Sequence, residues 1–108
     1  MPNLPLNPLQ TNISELFSSA NAVLSSVASN VASVTLLAAN QPRKGAYIFN
    51  DGTANLFVAY AAVASATAFS VKIPAGSFWE MPTSPIYTGI ITGIWDVANG
   101  SARITELL

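Results

Sequence analysis

Residues 43–60 read RKGAYIFNDGTANLFVAY. Aromatic and branched apolar residues dominate both halves of this stretch, which is typical of β-strands. Tyr47 and Phe49 are two residues apart and are therefore expected on one face of their strand. Asp51-Gly52 predicts a hairpin turn between the halves, because glycine accepts the positive φ that such a turn needs. The stretch thus predicts two paired strands, at residues 43–50 and 55–60.

The same alternation of strands and turn residues continues through residues 33–108. Further strands are predicted at residues 33–39, 67–73, 77–81, 89–96 and 101–107. In the strand at 67–73, alternation predicts that Phe69, Val71 and Ile73 face inward. About seven short strands at this spacing predict a mainly β domain, a small antiparallel β-sandwich or jelly-roll-like body over residues 33–108.

Residues 12–32 carry apolar side chains at helical spacing. Asn12 is a candidate N-cap with Glu15 three residues later, and serine and asparagine occupy the opposite face. We expect a short amphipathic helix that either covers the β body or bundles with copies of itself. The valine, alanine and serine content leaves an extended conformation open. The apolar positions are Ile13, Leu16, Phe17, Ala20, Val23, Leu24, Val27, Ala28 and Val31.

Residues 1–11 form a proline-spaced arm. Pro2, Pro5 and Pro8 recur at every third residue, which matches the three-residue turn of a polyproline II helix. An extended arm that carries leucines is expected to bind a neighbouring subunit; the alternative is a frayed terminus. The predicted partner-binding residues, which include part of the next segment, are Leu4, Leu6, Leu9, Ile13, Leu16 and Phe17.

The composition is poor in charge. Charged residues make up 8% of the 108 residues and the net charge is −1, whereas an ordinary domain has about 25% charged residues. We expect other subunits to cover part of such a surface, since small free domains usually rely on surface charge. Four scattered basic residues predict no nucleic-acid partner. Serine and asparagine interrupt the uncharged run at residues 16–42, so no membrane span is expected.

The inventory of reactive side chains is small. The chain has no cysteine and no histidine, so we expect no enzymatic activity, no cofactor and no metal. Glu80 with Asp96 or Glu106 is the remaining candidate acid/base pair, although isolated strand carboxylates are normally solvated or paired. Five aromatic residues are candidates for stacking on a sugar or, alternatively, for core packing: Tyr47, Tyr60, Trp79, Tyr87 and Trp95. The three favoured as stacking residues are Trp79, Tyr87 and Trp95.

The region 33–107 resembles a small domain that recurs among virion proteins of tailed bacteriophages and prophages. The resemblance implies a β-sandwich structural module with no catalytic residues to carry over. The stretches that carry it are VTLLAAN (34–40), RKGAYIFNDG (43–52), VKIPAG (71–76), YTGIITGIWD (87–96) and ANGSARITE (98–106).

Resemblance and composition together predict a capsid cement or decoration protein, made in the host bacterial cytoplasm and located on the virion capsid surface. Its expected partners are the major capsid protein and further copies of itself, with a homotrimer favoured by threefold positions in capsids. The alternative is a fibre or tail-tip module that recognises a host surface glycan through Trp79, Tyr87 or Trp95. A hydrolase that uses Glu80 and Asp96 is the third and weakest hypothesis.

Overall fold

The structure, a computed structural model, describes residues 18–108. The predicted arm and the proposed N-cap Asn12 lie outside the described residues. From residue 18 onward the chain forms strands and no helix, and therefore no helix that could cross a membrane. The eight strands are β1 Ala22–Ala28, β2 Val34–Leu37, β3 Gly45–Asp51, β4 Leu56–Ala59, β5 Val71–Ile73, β6 Phe78–Glu80, β7 Ile91–Trp95 and β8 Ser101–Leu107.

The strands form two four-stranded antiparallel sheets. The first sheet has the order β1-β8-β3-β6 and the second has the order β2-β7-β4-β5. The pairs β1–β8, β2–β7, β3–β6 and β4–β5 are those of a long hairpin wound into two facing sheets, the arrangement of a jelly roll. The predicted mainly β, antiparallel class is confirmed, but the count of seven strands was one too low.

The predicted hairpin across Asp51-Gly52 was wrong. β3 pairs with β6 and β8, whereas β4 pairs with β5 and β7, so the two strands lie in different sheets. Among the described residues, positive φ occurs at Gly76 and Gly100 and not at Gly52. Residues 52–55 connect the first sheet to the second, so the inward side chains of β3 and β4 face the core from opposite sheets.

The predicted helix is also wrong for the described part of residues 12–32. Residues 22–28 form β1, in continuous register with β8 from Ala22↔Leu107 to Ala28↔Ser101. Valine and serine are weak helix formers, and an extended chain here gains a full ladder of backbone hydrogen bonds with β8. Val27 also packs against the core. The β body therefore begins before residue 33.

The core lies between the sheets and contains one fully buried amide, Asn50. The Asn50 Nδ2 donates to the carbonyl oxygens of Ala54 at 2.7 Å and Ile73 at 2.9 Å, and Oδ1 accepts from Trp95 Nε1 at 3.3 Å. These bonds join β3 to both β5 and β7 across the core. The surrounding apolar residues are Leu36, Leu37, Ala46, Ile48, Leu56, Val58, Ile73, Met81, Ile91, Trp95, Ala102 and Ile104.

The second sheet is covered on its outer side by the connection between β4 and β5. Thr92 Oγ1 donates to the carbonyl oxygen of Ala61 at 2.8 Å, and the ring of Phe69 packs edge-on against Phe57 with centroids 4.9 Å apart. The prediction that Phe69 faces inward was therefore wrong, because the regular strand begins only at Val71. This cover leaves Phe57 buried although it points away from the core.

Candidate interaction surface

The exposed side of the first sheet is the candidate interaction surface, and we call it the outer face. Cross-strand partners on one side of a sheet lie about 5 Å apart, so its side chains form continuous rows from β1 across β8 and β3 to β6. Leu24 is 77% exposed and Phe78 is 67% exposed, at opposite ends of these rows. The members of the outer face are Leu24, Ser26, Tyr47, Phe49, Phe78, Glu80, Arg103 and Thr105.

The outer face carries two charged side chains, Arg103 and Glu80, and Arg103 forms an ion pair. The Nε of Arg103 lies 3.0 Å from Oδ2 of Asp51, and both side chains are well exposed. The adjoining Phe49 and Phe78 are direct cross-strand partners, and both are exposed. A contiguous apolar patch with few net charges is typical of a surface that binds another macromolecule.

A cleft of about 660 Å³ lies at one end of the sandwich. The Nζ of Lys44 donates to the carbonyl oxygen of Ser18 at 2.6 Å, and Ser19 Oγ donates to the carbonyl oxygen of Leu108 at 2.8 Å. The described chain thus begins beside this cleft. The predicted partner-binding residues of 1–17 lie outside the described residues.

The three candidate stacking residues are not equivalent. Trp95 is 2% exposed, and its indole nitrogen is bonded to Asn50. The idea that Trp95 stacks on a sugar is therefore corrected: its ring is a core element between the sheets. Trp79 and Tyr87 are both partly buried.

Trp79 and Tyr87 meet through a third aromatic candidate, Tyr60. The rings of Tyr60 and Tyr87 are parallel, with centroids 4.5 Å apart, and Trp79 lies 5.9 Å from Tyr60. Burial raises the pKa of the Tyr60 phenol, against the opposing effect of the positive charge of Arg43. Because Tyr60 covers one face of Tyr87, the cluster offers less ring surface than three free aromatics would.

The candidate acid/base residues lie on different parts of the sandwich. Glu80 is on the outer face, Asp96 follows β7 and accepts from Asn55 Nδ2 at 2.9 Å, and Glu106 points inward from β8. Within residues 18–108, no group of three potential metal-ligating side chains comes together. Asp96 therefore forms a local hydrogen bond and Glu106 forms an ion pair.

Glu106 belongs to a buried network centred on Arg43. The Nε of Arg43 lies 2.7 Å from Oε2 of Glu106, and Asn40 Nδ2 donates to Oε1 at 3.2 Å. The sequence analysis treated Arg43 only as a scattered basic residue. A buried cation could have been predicted from Glu106, which lies on the inward side of β8 together with Ala102 and Ile104. A carboxylate that points into the core requires a cation beside it.

No family model, curated protein or solved structure matches this chain. The functional argument therefore depends on the fold, the outer face and the residues themselves.

Proposed function

We propose that this chain is a non-enzymatic structural protein of a bacteriophage virion, a capsid cement or decoration protein that binds the major capsid protein through its outer face. The observation that carries the proposal is the difference between the two sheets. Residues 60–70 cover the outer side of the second sheet, whereas the first sheet exposes Leu24, Tyr47, Phe49 and Phe78. A jelly roll is also the architecture of many viral capsid domains, which supports the proposal by analogy only.

Binding through the outer face has a simple energetic basis. Removal of apolar surface from water stabilises a complex by about 25 cal/mol per Å², and aromatic side chains near the centre of an interface contribute most. The Arg103–Asp51 pair is already formed in the free chain, so the charge of Arg103 does not have to be desolvated without a partner. These properties suit a shallow, mainly apolar contact with a capsid surface.

The glycan alternative has less support from the geometry. Trp95 is buried and Tyr60 covers one face of Tyr87. A count of copies per purified virion separates the two hypotheses, since a cement protein is present in hundreds of copies and a fibre in few.

We expect Phe49→Ser with Phe78→Ser to weaken capsid binding about 100-fold. The two rings are neighbours on the outer face, and two interface contacts of about 1.4 kcal/mol each together account for a loss of about 100-fold. Co-sedimentation of the variant with undecorated capsids measures the change.

The matched control is Val63→Ser with Val97→Ser. Both valines are exposed and neither belongs to the outer face. The control should bind capsids like the unmodified protein, and circular dichroism should show that both variants fold. Unchanged binding by the folded phenylalanine variant would contradict the proposal.

Deletion of residues 1–10 should reduce capsid affinity about tenfold or more. The described chain begins at Ser18, beside the end cleft, and a second tethered contact raises the effective concentration of the first. A full-length variant with Leu4, Leu6 and Leu9 changed to serine separates the apolar contacts from chain length and should show a similar loss. If both variants decorate capsids with unchanged affinity, the arm does not contribute. The homotrimer expected from threefold capsid positions competes with the dimer that is proposed below, and the mass of the purified protein decides between them.

A further inference from the structure

The free edge of β1 lacks the features that normally keep edge strands apart. Within the described part of the chain, β1 ends the first sheet and pairs with β8 alone. It is seven residues long, reads AVLSSVA and has an uninterrupted register. Edge strands are usually protected by charge, proline, bulges or short length. β1 has none of these, so its outer edge is a template for another strand.

The backbone groups that point outward from β1 can be identified. Ser29 N donates to the carbonyl oxygen of Gly100 at 3.0 Å, and Leu108 N donates to that of Asn21 at 2.9 Å. Hydrogen-bonding direction alternates along an antiparallel strand, so the odd-numbered residues of β1 bond to β8. The N–H and C=O groups of the even-numbered residues point outward. These residues are Ala22, Leu24, Ser26 and Ala28.

We propose that β1 pairs antiparallel with β1 of a second copy of this chain, around a twofold axis at Ser25. In this register Ala22 faces Ala28 of the second copy and Leu24 faces Ser26. All four outward-pointing residues then form hydrogen-bonded pairs. If one strand is shifted by two residues in either direction, some of these backbone groups have no partner. An axis at Ser25 is therefore the position at which all four residues form hydrogen bonds.

The side chains of β1 fit the same symmetric register. The sequence reads almost identically in both directions, and a twofold contact requires such self-complementarity. Val23 is 49% exposed although it points toward the inner side of the sheet, and the pairing places it beside Val27 of the second copy. No charges oppose each other across the contact. The two first sheets become one continuous sheet of eight strands with both outer faces on one side.

Charge reversal at the axis tests the pairing. Light scattering of the purified full-length protein should give twice the chain mass of 11.3 kDa. Ser25 is exposed, so Ser25→Lys and Ser25→Glu should each fold. Each places two like charges across the axis at a distance of about 5 Å, and each should raise the dimer dissociation constant about tenfold or more. An equimolar mixture of the two variants should restore the dimer.

The register has its own test. The chain contains no cysteine, so Ser25→Cys introduces a single thiol, and opposed Cα atoms in such a pair lie within disulfide range. Mild oxidation should give a covalent dimer, whereas Ala75→Cys in the exposed turn between β5 and β6 should not. A monomer or a trimer of unmodified protein would overturn the proposal, as would a dimer whose dissociation constant the charged variants leave unchanged. This inference does not depend on capsid binding.

Discussion

Arg43→Met should lower the free energy of unfolding by about 3–5 kcal/mol, the range for removing one partner of a buried ion pair. The Arg43 side chain is fully buried and the Glu106 side chain is 10% exposed. Without the guanidinium, the Glu106 carboxylate stays in the interior without a cation. A domain of this size is stabilised by about 5–15 kcal/mol in total, so the loss is a large fraction of its stability.

The hydrogen bonds of Arg43 add to this effect. Its guanidinium donates to the carbonyl oxygens of Ala38 at 2.6 Å, Gly89 at 2.9 Å and Tyr87 at 3.0 Å. These carbonyls belong to the segments that follow β2 and precede β7. Methionine fills similar space but donates no hydrogen bond, so it leaves three acceptors without this donor as well as the unpaired carboxylate.

The matched control is Arg103→Met, the same substitution in an exposed pair. The Arg103 and Asp51 side chains are 60% and 50% exposed, and such pairs contribute about 0–1 kcal/mol. Urea unfolding of both variants measures the difference. Adding Glu106→Leu to Arg43→Met should recover part of the loss, because the buried charge is then gone. Equal destabilisation by the two arginine substitutions would show that burial of the Arg43 pair has no special role.

Gly100→Ala should destabilise the protein by about 2–5 kcal/mol, from a strained backbone and from overlap. Gly100 has a φ of +85°, and a Cβ at this position would overlap the carbonyl oxygen of Asp51 and lie 2.5 Å from Gly52 Cα. These are backbone atoms, so the overlap is relieved only if the connection between β3 and β4 separates from the one between β7 and β8.

Gly76→Ala separates the two contributions. Gly76 has a similar φ of +74°, but a Cβ there meets no atom within 4 Å. Gly76→Ala should therefore lower the free energy of unfolding only through backbone strain, by about 1–2 kcal/mol. Thermal or urea unfolding of the two alanine variants gives the comparison. If Gly76→Ala and Gly100→Ala lower the free energy of unfolding equally, the close approach of backbone atoms to Gly100 is not the reason for glycine at that position.

The strands could largely be predicted from the sequence, but their pairing could not. Alternation located β3, β7 and β8 to within one or two residues, because one side of each faces the core. The same local pattern cannot tell whether two successive strands pair or cross between sheets, so Asp51-Gly52 was interpreted as a hairpin. For β1 the sequence left a helix and an extended segment open, because its apolar residues also fit helical spacing and its partner β8 is distant in sequence.

The candidate surface was predicted only in outline. Low charge content indicated a covered surface, but not which one, since Tyr47 and Phe49 have the same strand alternation whether they face solvent or a partner. The outer face depends on the pairing of β3 with β6, which places Phe78 beside Phe49 and which the sequence pattern does not predict. Trp95 was a candidate for stacking because the residues that contact it, such as its hydrogen-bond partner Asn50, are far from it in the chain.

The position of β8 between β1 and β3 also has a consequence for folding kinetics. β8 is the final strand of the described chain, and the first sheet cannot close before β8 is available. Pairing of such distant segments requires closure of long loops, which slows folding to roughly milliseconds to seconds. During synthesis, β1 must therefore remain without its partner until β8 has left the ribosome. An uncharged, unpaired AVLSSVA segment is then most prone to premature association with other nascent chains.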